Sequence, residues 1–190
     1  MLNLPLVTML FIGVNLDFFV ILLFLLQKYR FKETLIGYEV GMLLIFTMSA
    51  IIGQLIQTIT PTWAIGFLGL IPIYMGIKGE NDNEESAQNK TKKGIIAVLL
   101  MYLVSCGADN IAVYVPVLAT LSFPSLLFTL VYFVILTFIS LTLAYFFGQL
   151  KIIKIIFKKW GAPLSRIIYI LIGLFVIWDT GLLEHVLNWF

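Results

Sequence analysis

The chain has 190 residues, 61% of them apolar or aromatic and 12% charged, with a formal net charge of +2, and its mean hydropathy is +1.06. An average soluble domain is about 45–50% apolar and about 25% charged, so a globule of this size could not hide so much Leu, Ile, Val and Phe, and the excess must face lipid. These figures exclude an ordinary soluble domain; the small net charge gives no nucleic-acid footprint, and the single cysteine, Cys106, excludes an internal disulfide.

Crossing about 30 Å of hydrocarbon takes roughly 20 apolar residues in a helix. The first such run is Leu4 to Gln27; no basic segment precedes it and no small-residue cleavage site interrupts it, so it reads as a span rather than a targeting peptide. Leu35 to Ile59 is the second. Trp63 to Ile77, the third, is short and carries Gly66, Gly69, Pro72 and Gly76, which predicts a tilted, broken or shielded helix. The polar stretch Gly79 to Lys93 has almost nothing to bury and reads as a flexible linker. Ile95 to Leu118 and Phe123 to Leu150 are the fourth and fifth spans. In Lys151 to Trp160, the residues Lys151, Lys154 and Lys158 share one face, as in a helix lying on an anionic inner leaflet, and Leu164 to Leu183 is the sixth span. Strand-like alternation is absent, which excludes a β-barrel.

The basic residues orient these spans. Lys28, Arg30 and Lys32 follow the first; Lys78, Lys90, Lys92 and Lys93 follow the third; Lys151, Lys154, Lys158, Lys159 and Arg166 follow the fifth. All twelve thus fall on one side, which the positive-inside rule makes cytoplasmic, leaving both termini outside. The expected fold is therefore an all-α integral membrane protein with six transmembrane helices. A first three-helix repeat (residues 1–78) and a second (95–190) flank the linker (79–94), and because three is odd, the two repeats are inverted with respect to each other.

A carboxylate near the bilayer centre costs roughly 2.5–3.5 kcal/mol to insert, so intramembrane acids are candidate functional groups. Asp17 is the fourteenth residue of the first span and Asp109 the fifteenth of the fourth, equivalent places in inverted repeats. By helical rise they lie about 15 and about 21 Å from their cytoplasmic ends, straddling the midplane. Each acid has an amide and a glycine nearby, in Gly13-Val14-Asn15-Leu16-Asp17 and in Cys106-Gly107-Ala108-Asp109-Asn110. Cys106, Asp109 and Asn110 share a helical face, and Cys106 falls within about 2 Å of the Asp17 depth. Two carboxylates, two amide oxygens (Asn15, Asn110) and a thiol make a cation site, with Asp17, Asp109 and Cys106 as its metal ligands. Interhelical hydrogen-bond glue is the plain alternative for the two acids and the two amides, and simple packing for Cys106.

Other polar residues carry less. Glu39 lies only about 6 Å inside its span, which suits a vestibule residue or a snorkelling acid. Asp179 and Glu184 are near the outer end, His185 reads as a solvated end position, and Trp63, Trp160, Trp178 and Trp189 fall at the two interfaces. No catalytic triad, phosphate loop or paired-His zinc motif is present, so the chain does not read as an enzyme, and no resident cofactor is expected.

The run Gly66 to Lys78 (GFLGLIPIYMGIK), with Gly107-Ala108-Asp109-Asn110-Ile111, Tyr114-Val115-Pro116 and Asn15-Leu16-Asp17, resembles the cadmium-resistance transporter (CadD) family of the lysine-exporter (LysE) superfamily, over nearly the whole chain. The resemblance implies a multi-pass exporter of divalent metal, chiefly cadmium, in a bacterial plasma membrane, with zinc and manganese as other candidate ions. The family usually has a second acid where this chain has Phe18, and Asn where it has Cys106. With no nucleotide-binding motif to drive uphill export, proton exchange at the aspartates is the economical mechanism. Two rival readings stay open, an exporter of an amino acid or other small cation and a non-transporting membrane subunit. Expected partners are membrane lipid and the transported ion, without nucleic acid, and homo-oligomerisation stays open.

Overall fold

The computed structural model describes residues 4–78, 94–148 and 150–187, without the side chains of Asp17 and of 151–154, 156–158, 161, 162, 164 and 165. Every regular element among the described residues is helical. They are α1 (Leu4–Lys28), α2 (Phe31–Ile59), α3 (Thr62–Ile65), a single 3-10 segment (Gly66–Gly69), α4 (Leu70–Lys78), α5 (Gly94–Leu118), α6 (Phe123–Phe147), α7 (Lys151–Asp179) and α8 (Leu182–Leu187). Helix α2 packs most extensively against α5, and α7 lies against both α1 and α4.

Three helices, α2, α5 and α6, are long and apolar enough to cross a membrane alone, and α1 makes a fourth when its two arms count as one span. Those arms, Leu4–Leu16 and Phe18–Lys28, meet at 58°. The local cause is visible one turn earlier. Gly13 has no side chain to stiffen the helix, and Asn15 Nδ2 donates 2.9 Å to the Phe11 carbonyl, one of the polar side-chain contacts that bend helices.

The expected break in the third run is present. Thr62–Lys78 is interrupted by the 3-10 segment Gly66–Gly69, after which Pro72, having no N–H, sits in the first turn of α4. The sequence separates Lys151–Trp160 from the sixth span; the structure joins them in one helix of 29 residues that continues through Pro163. Proline removes one backbone hydrogen bond without ending a helix that its neighbours hold in place. The lysine side chains 151, 154 and 158, the linker 79–93 and Trp189 lie outside the described residues.

Lipid tails are as apolar as leucine, so helices in a membrane are held by close packing and polar contacts rather than by the hydrophobic effect. Gly37 and Gly41, four apart on α2, supply the first. A Cβ on Gly37 would come within 2.5 Å of the Ile95 carbonyl, and one on Gly41 within 2.6 Å of the Tyr102 ring. Gln54 supplies the second, donating to the carbonyl of Leu118 (3.3 Å) at the end of α5 and to that of Leu121 (3.0 Å) in the turn that follows.

Gly107 is unlike Gly37, since a Cβ there meets only Ile45 Cδ1, at 3.8 Å. Gly37→Leu should therefore lower the thermal unfolding midpoint in detergent sharply, by the equivalent of about 1–3 kcal/mol of overpacking or more. Gly107→Ala should leave the midpoint unchanged or raise it, because alanine is about 1 kcal/mol the better helix former. Equal effects at the two positions would mean that α2 and α5 do not meet as described.

Candidate functional site

At the crossing of α1, α2 and α5, the amide of Asn15 is buried and fully engaged. Its Oδ1 accepts from the hydroxyls of Tyr38 (2.9 Å) and Tyr102 (3.2 Å). Its Nδ2 donates to the Phe11 carbonyl (2.9 Å) and to the Tyr114 hydroxyl (3.4 Å). Four helical segments' worth of polar groups are thereby tied to one side chain, as they must be where no water can serve them.

Asn110 is completely buried on the same side of α5. Its amide fits its surroundings when Nδ2 donates to the carbonyls of Val14 (3.0 Å) and Cys106 (3.2 Å) while Oδ1 accepts from Tyr102 (2.9 Å). The opposite orientation would set Oδ1 against two carbonyl oxygens and keep only the Tyr102 contact. A tyrosine hydroxyl carries one proton. Two amide oxygens, from Asn15 and Asn110, therefore converge on the one Tyr102 proton, and Asn15 Oδ1 has the Tyr38 proton besides.

The other candidate residues are placed as follows. Cys106 is buried one turn before Asn110 and lies close enough to Tyr38, Tyr102 and Tyr114 to interact with each electrostatically. Asp109, adjacent to Asn110, is half-buried. The backbone of Asp17 lies at the bend of α1, and its side chain is outside the described residues. Among the described residues, no group of three or more His, Cys, Asp or Glu side chains comes together.

Glu39 departs from the sequence reading. Helix α2 begins at Phe31 rather than Leu35, so Glu39 lies eight residues in, about 12 Å along the axis. Its Oε2 does not snorkel to water: it is buried, with no hydrogen-bond partner among the described residues. The acid faces a groove of about 450 Å³ between α2 and α6, lined by Leu35, Leu43, Val134, Ile135 and Phe138. His185 is likewise not a free end position, since its ring stacks on Trp63 at 4.1 Å between centroids. Trp160 and Trp178 are exposed, as anchors should be.

Sequence reasoning missed the tyrosines. Tyr38, Tyr102 and Tyr114 are fully buried, yet membrane tyrosines belong mostly to interfacial belts. A tyrosine several turns inside a span needs a partner for its hydroxyl, and that was the available signal.

The chain matches the family described as cadmium resistance transporter over residues 11–189. It belongs to that family. Among curated proteins and among solved structures, none matches. Family membership makes the chain a membrane cadmium resistance transporter and not an enzyme.

The hydrogen-bond geometry of this transporter ranks two substitutions. Tyr38→Phe removes one donor to Asn15 and should cost about 0.6 kcal/mol, up to about 1.7, the range for interhelical hydrogen bonds in membranes. Asn15→Leu takes away the contact of three hydroxyls at once and should destabilise by more. Thermal unfolding of both in detergent checks the order, and the reverse order would place the hub elsewhere.

Proposed function

We propose that the protein exports a divalent cation, cadmium foremost, across the plasma membrane by exchanging it for protons at a site near mid-depth. Asp17 and Asp109 hold the ion and exchange the protons, Asn15 and Asn110 supply amide oxygens, and Cys106 adds a soft donor. The observation that carries this reading is the convergence of the Asn15 and Asn110 oxygens on the single Tyr102 proton. Two amide oxygens gathered in one buried layer are the hard oxygen donors that a divalent cation takes. Cys106 and Asp109 lie one turn and one residue from Asn110 on the same helix, which brings a thiol and a carboxyl to that neighbourhood.

The chemistry follows from charge. Two carboxylates balance one dication and take up one proton each when it leaves, and Cys106, where it has bound the ion as thiolate, takes up a third. A thiolate favours cadmium and zinc, whereas carboxylates and amides alone suit harder ions such as manganese. In this reading six spans cross the membrane, with the basic loops inside and both termini outside.

The deciding experiment is metal export from cells expressing variants. Asp17→Asn and Asp109→Asn should each abolish cadmium tolerance while the protein still reaches the membrane, since the amide keeps the shape and loses the charge. Glu39→Gln should matter less. A tolerant Asp17→Asn or Asp109→Asn strain would move the site elsewhere.

Ion choice and topology have their own tests. In vesicles loaded with one ion at a time, Cys106→Ser should reduce cadmium transport more than manganese transport; proportional loss would make Cys106 a packing residue. On the Cys106→Ser background, a cysteine placed in the linker 79–93 should react with an impermeant reagent only after the cell is opened, and one at Thr62 from outside. Labelling of both from outside would overturn the six-span orientation.

A further inference from the structure

The buried aromatic rings fall into two clusters, and the amide network lies between them. In the first, Phe18 of α1 packs on Tyr38 of α2 (4.9 Å between centroids) and on Tyr102 of α5 (4.8 Å), and those two tyrosines pack on each other (5.1 Å). In the second, Phe133 of α6 gathers Phe11 of α1 (5.2 Å), Phe46 of α2 (5.5 Å) and Tyr114 of α5 (5.6 Å). Every one of these rings is at most 4% exposed.

Chain order fixes which cluster lies toward which face. On α1, Phe11 is four residues before Asn15 and Phe18 three after it. On α2 and α5, which start at the opposite end of the bundle from α1, Tyr38 precedes Phe46 and Tyr102 precedes Tyr114, with Cys106 and Asn110 between the last two. All three helices thus agree. The Phe18 cluster lies toward the Lys28–Arg30 turn and the Phe133 cluster toward the amino-terminal end of α1, with the amides and Cys106 in the middle layer.

We propose that the two ring clusters are the two barriers of the transport path: the Phe18, Tyr38 and Tyr102 rings close the middle layer toward the linker side, and the rings around Phe133 close it toward the opposite side. This rests on the transporter reading above. Rings suit the role because they exclude water by bulk, and their contacts with one another carry no hydrogen bond, so Phe18 and Phe133, which have no polar group, can withdraw without leaving a buried donor or acceptor unpaired. The tyrosines at the two edges tie each barrier to Asn15 through their hydroxyls, so a change at the amide layer is felt by both.

Cys106 lies between the barriers and is the chain's single cysteine, which makes the native protein its own reporter. An impermeant, charged thiol reagent is applied to right-side-out and to inverted vesicles, and the fraction of Cys106 labelled is read against protein denatured afterwards. The unaltered protein should label slowly from both faces. Phe18→Ala should raise the labelling rate about tenfold or more from one face only, the linker face, and Phe133→Ala from the other only. Because either alanine could unfold the bundle, the comparison uses variants that elute as monodispersely as the unaltered protein. Phe18→Leu and Phe133→Leu, which keep bulk and lose the ring, give a smaller rise with the same sidedness.

Equal rises from both faces, a rise from the same face in both variants, or no rise in any folded variant would overturn the proposal. The readout needs no metal. Loss of the cadmium site reading would leave the opposed sidedness standing, and a reversed orientation would exchange the two faces together.

Discussion

The structure depends on one constraint, that a polar group inside a membrane must find its partner within the protein. Asn15 answers it for most of the bundle's centre. Its amide accepts two hydroxyl protons and gives two hydrogen bonds, and these reach α2, both halves of α5 and its own helix. With no hydrophobic effect to draw helices together in lipid, contacts of this kind and close backbone approach have to set the arrangement. The bend of α1 belongs to the same economy: Asn15 diverts the Phe11 carbonyl, and the helix turns shortly afterwards.

The packing divides by chemistry. Between α2 and α5 the close approach of Gly37 and Gly41 is combined with the tyrosine hydroxyls, a contact both tight and specific. Against α7 the approach is close through glycine backbones, for Gly69 of the 3-10 segment meets the Gly173 carbonyl and Gly76 of α4 the Arg166 carbonyl. Dispersion contacts of the second kind slide at less cost than a hydrogen-bonded hub, which cannot shift without leaving a buried group unpaired. The arrangement is thus a polar joint at α1–α2–α5 with a smoother face along α4–α7.

The fold was legible in the sequence to the extent that length and hydropathy determine it. The runs Leu4 to Gln27, Leu35 to Ile59, Ile95 to Leu118 and Phe123 to Leu150 fall within a few residues of α1, α2, α5 and α6, and the glycines and Pro72 of the third run foretold its break. What composition could not supply was contact. The helix start at Phe31, four residues before the apolar run, is set by Arg30 N–H donating to the Glu33 carboxylate at 3.2 Å, a local polar bond that hydropathy counts against a helix. That extra turn sets Glu39 eight residues into α2, where its carboxyl is covered on the α6 side. In the site, spacing alone placed Cys106 and Asn110 on one face, and the structure buries both. Tyr102 lies on that face too, at i−8 from Asn110, but its bond to Asn15 of α1 is a contact between helices, which spacing along one helix does not give.

Phe18 shows how one position can belong to both layers. It follows Asp17 directly, at the bend of α1, and its ring lies between those of Tyr38 and Tyr102. A carboxylate in its place would be buried against two tyrosine rings whose hydroxyls already bond to Asn15, with nothing there among the described residues to replace its lost hydration. An ionised acid there would need either a cation or the withdrawal of those hydroxyls. Phe18 removes that demand and keeps Asn15 as the hub, so this position contributes to the packing of the centre and not to its charge.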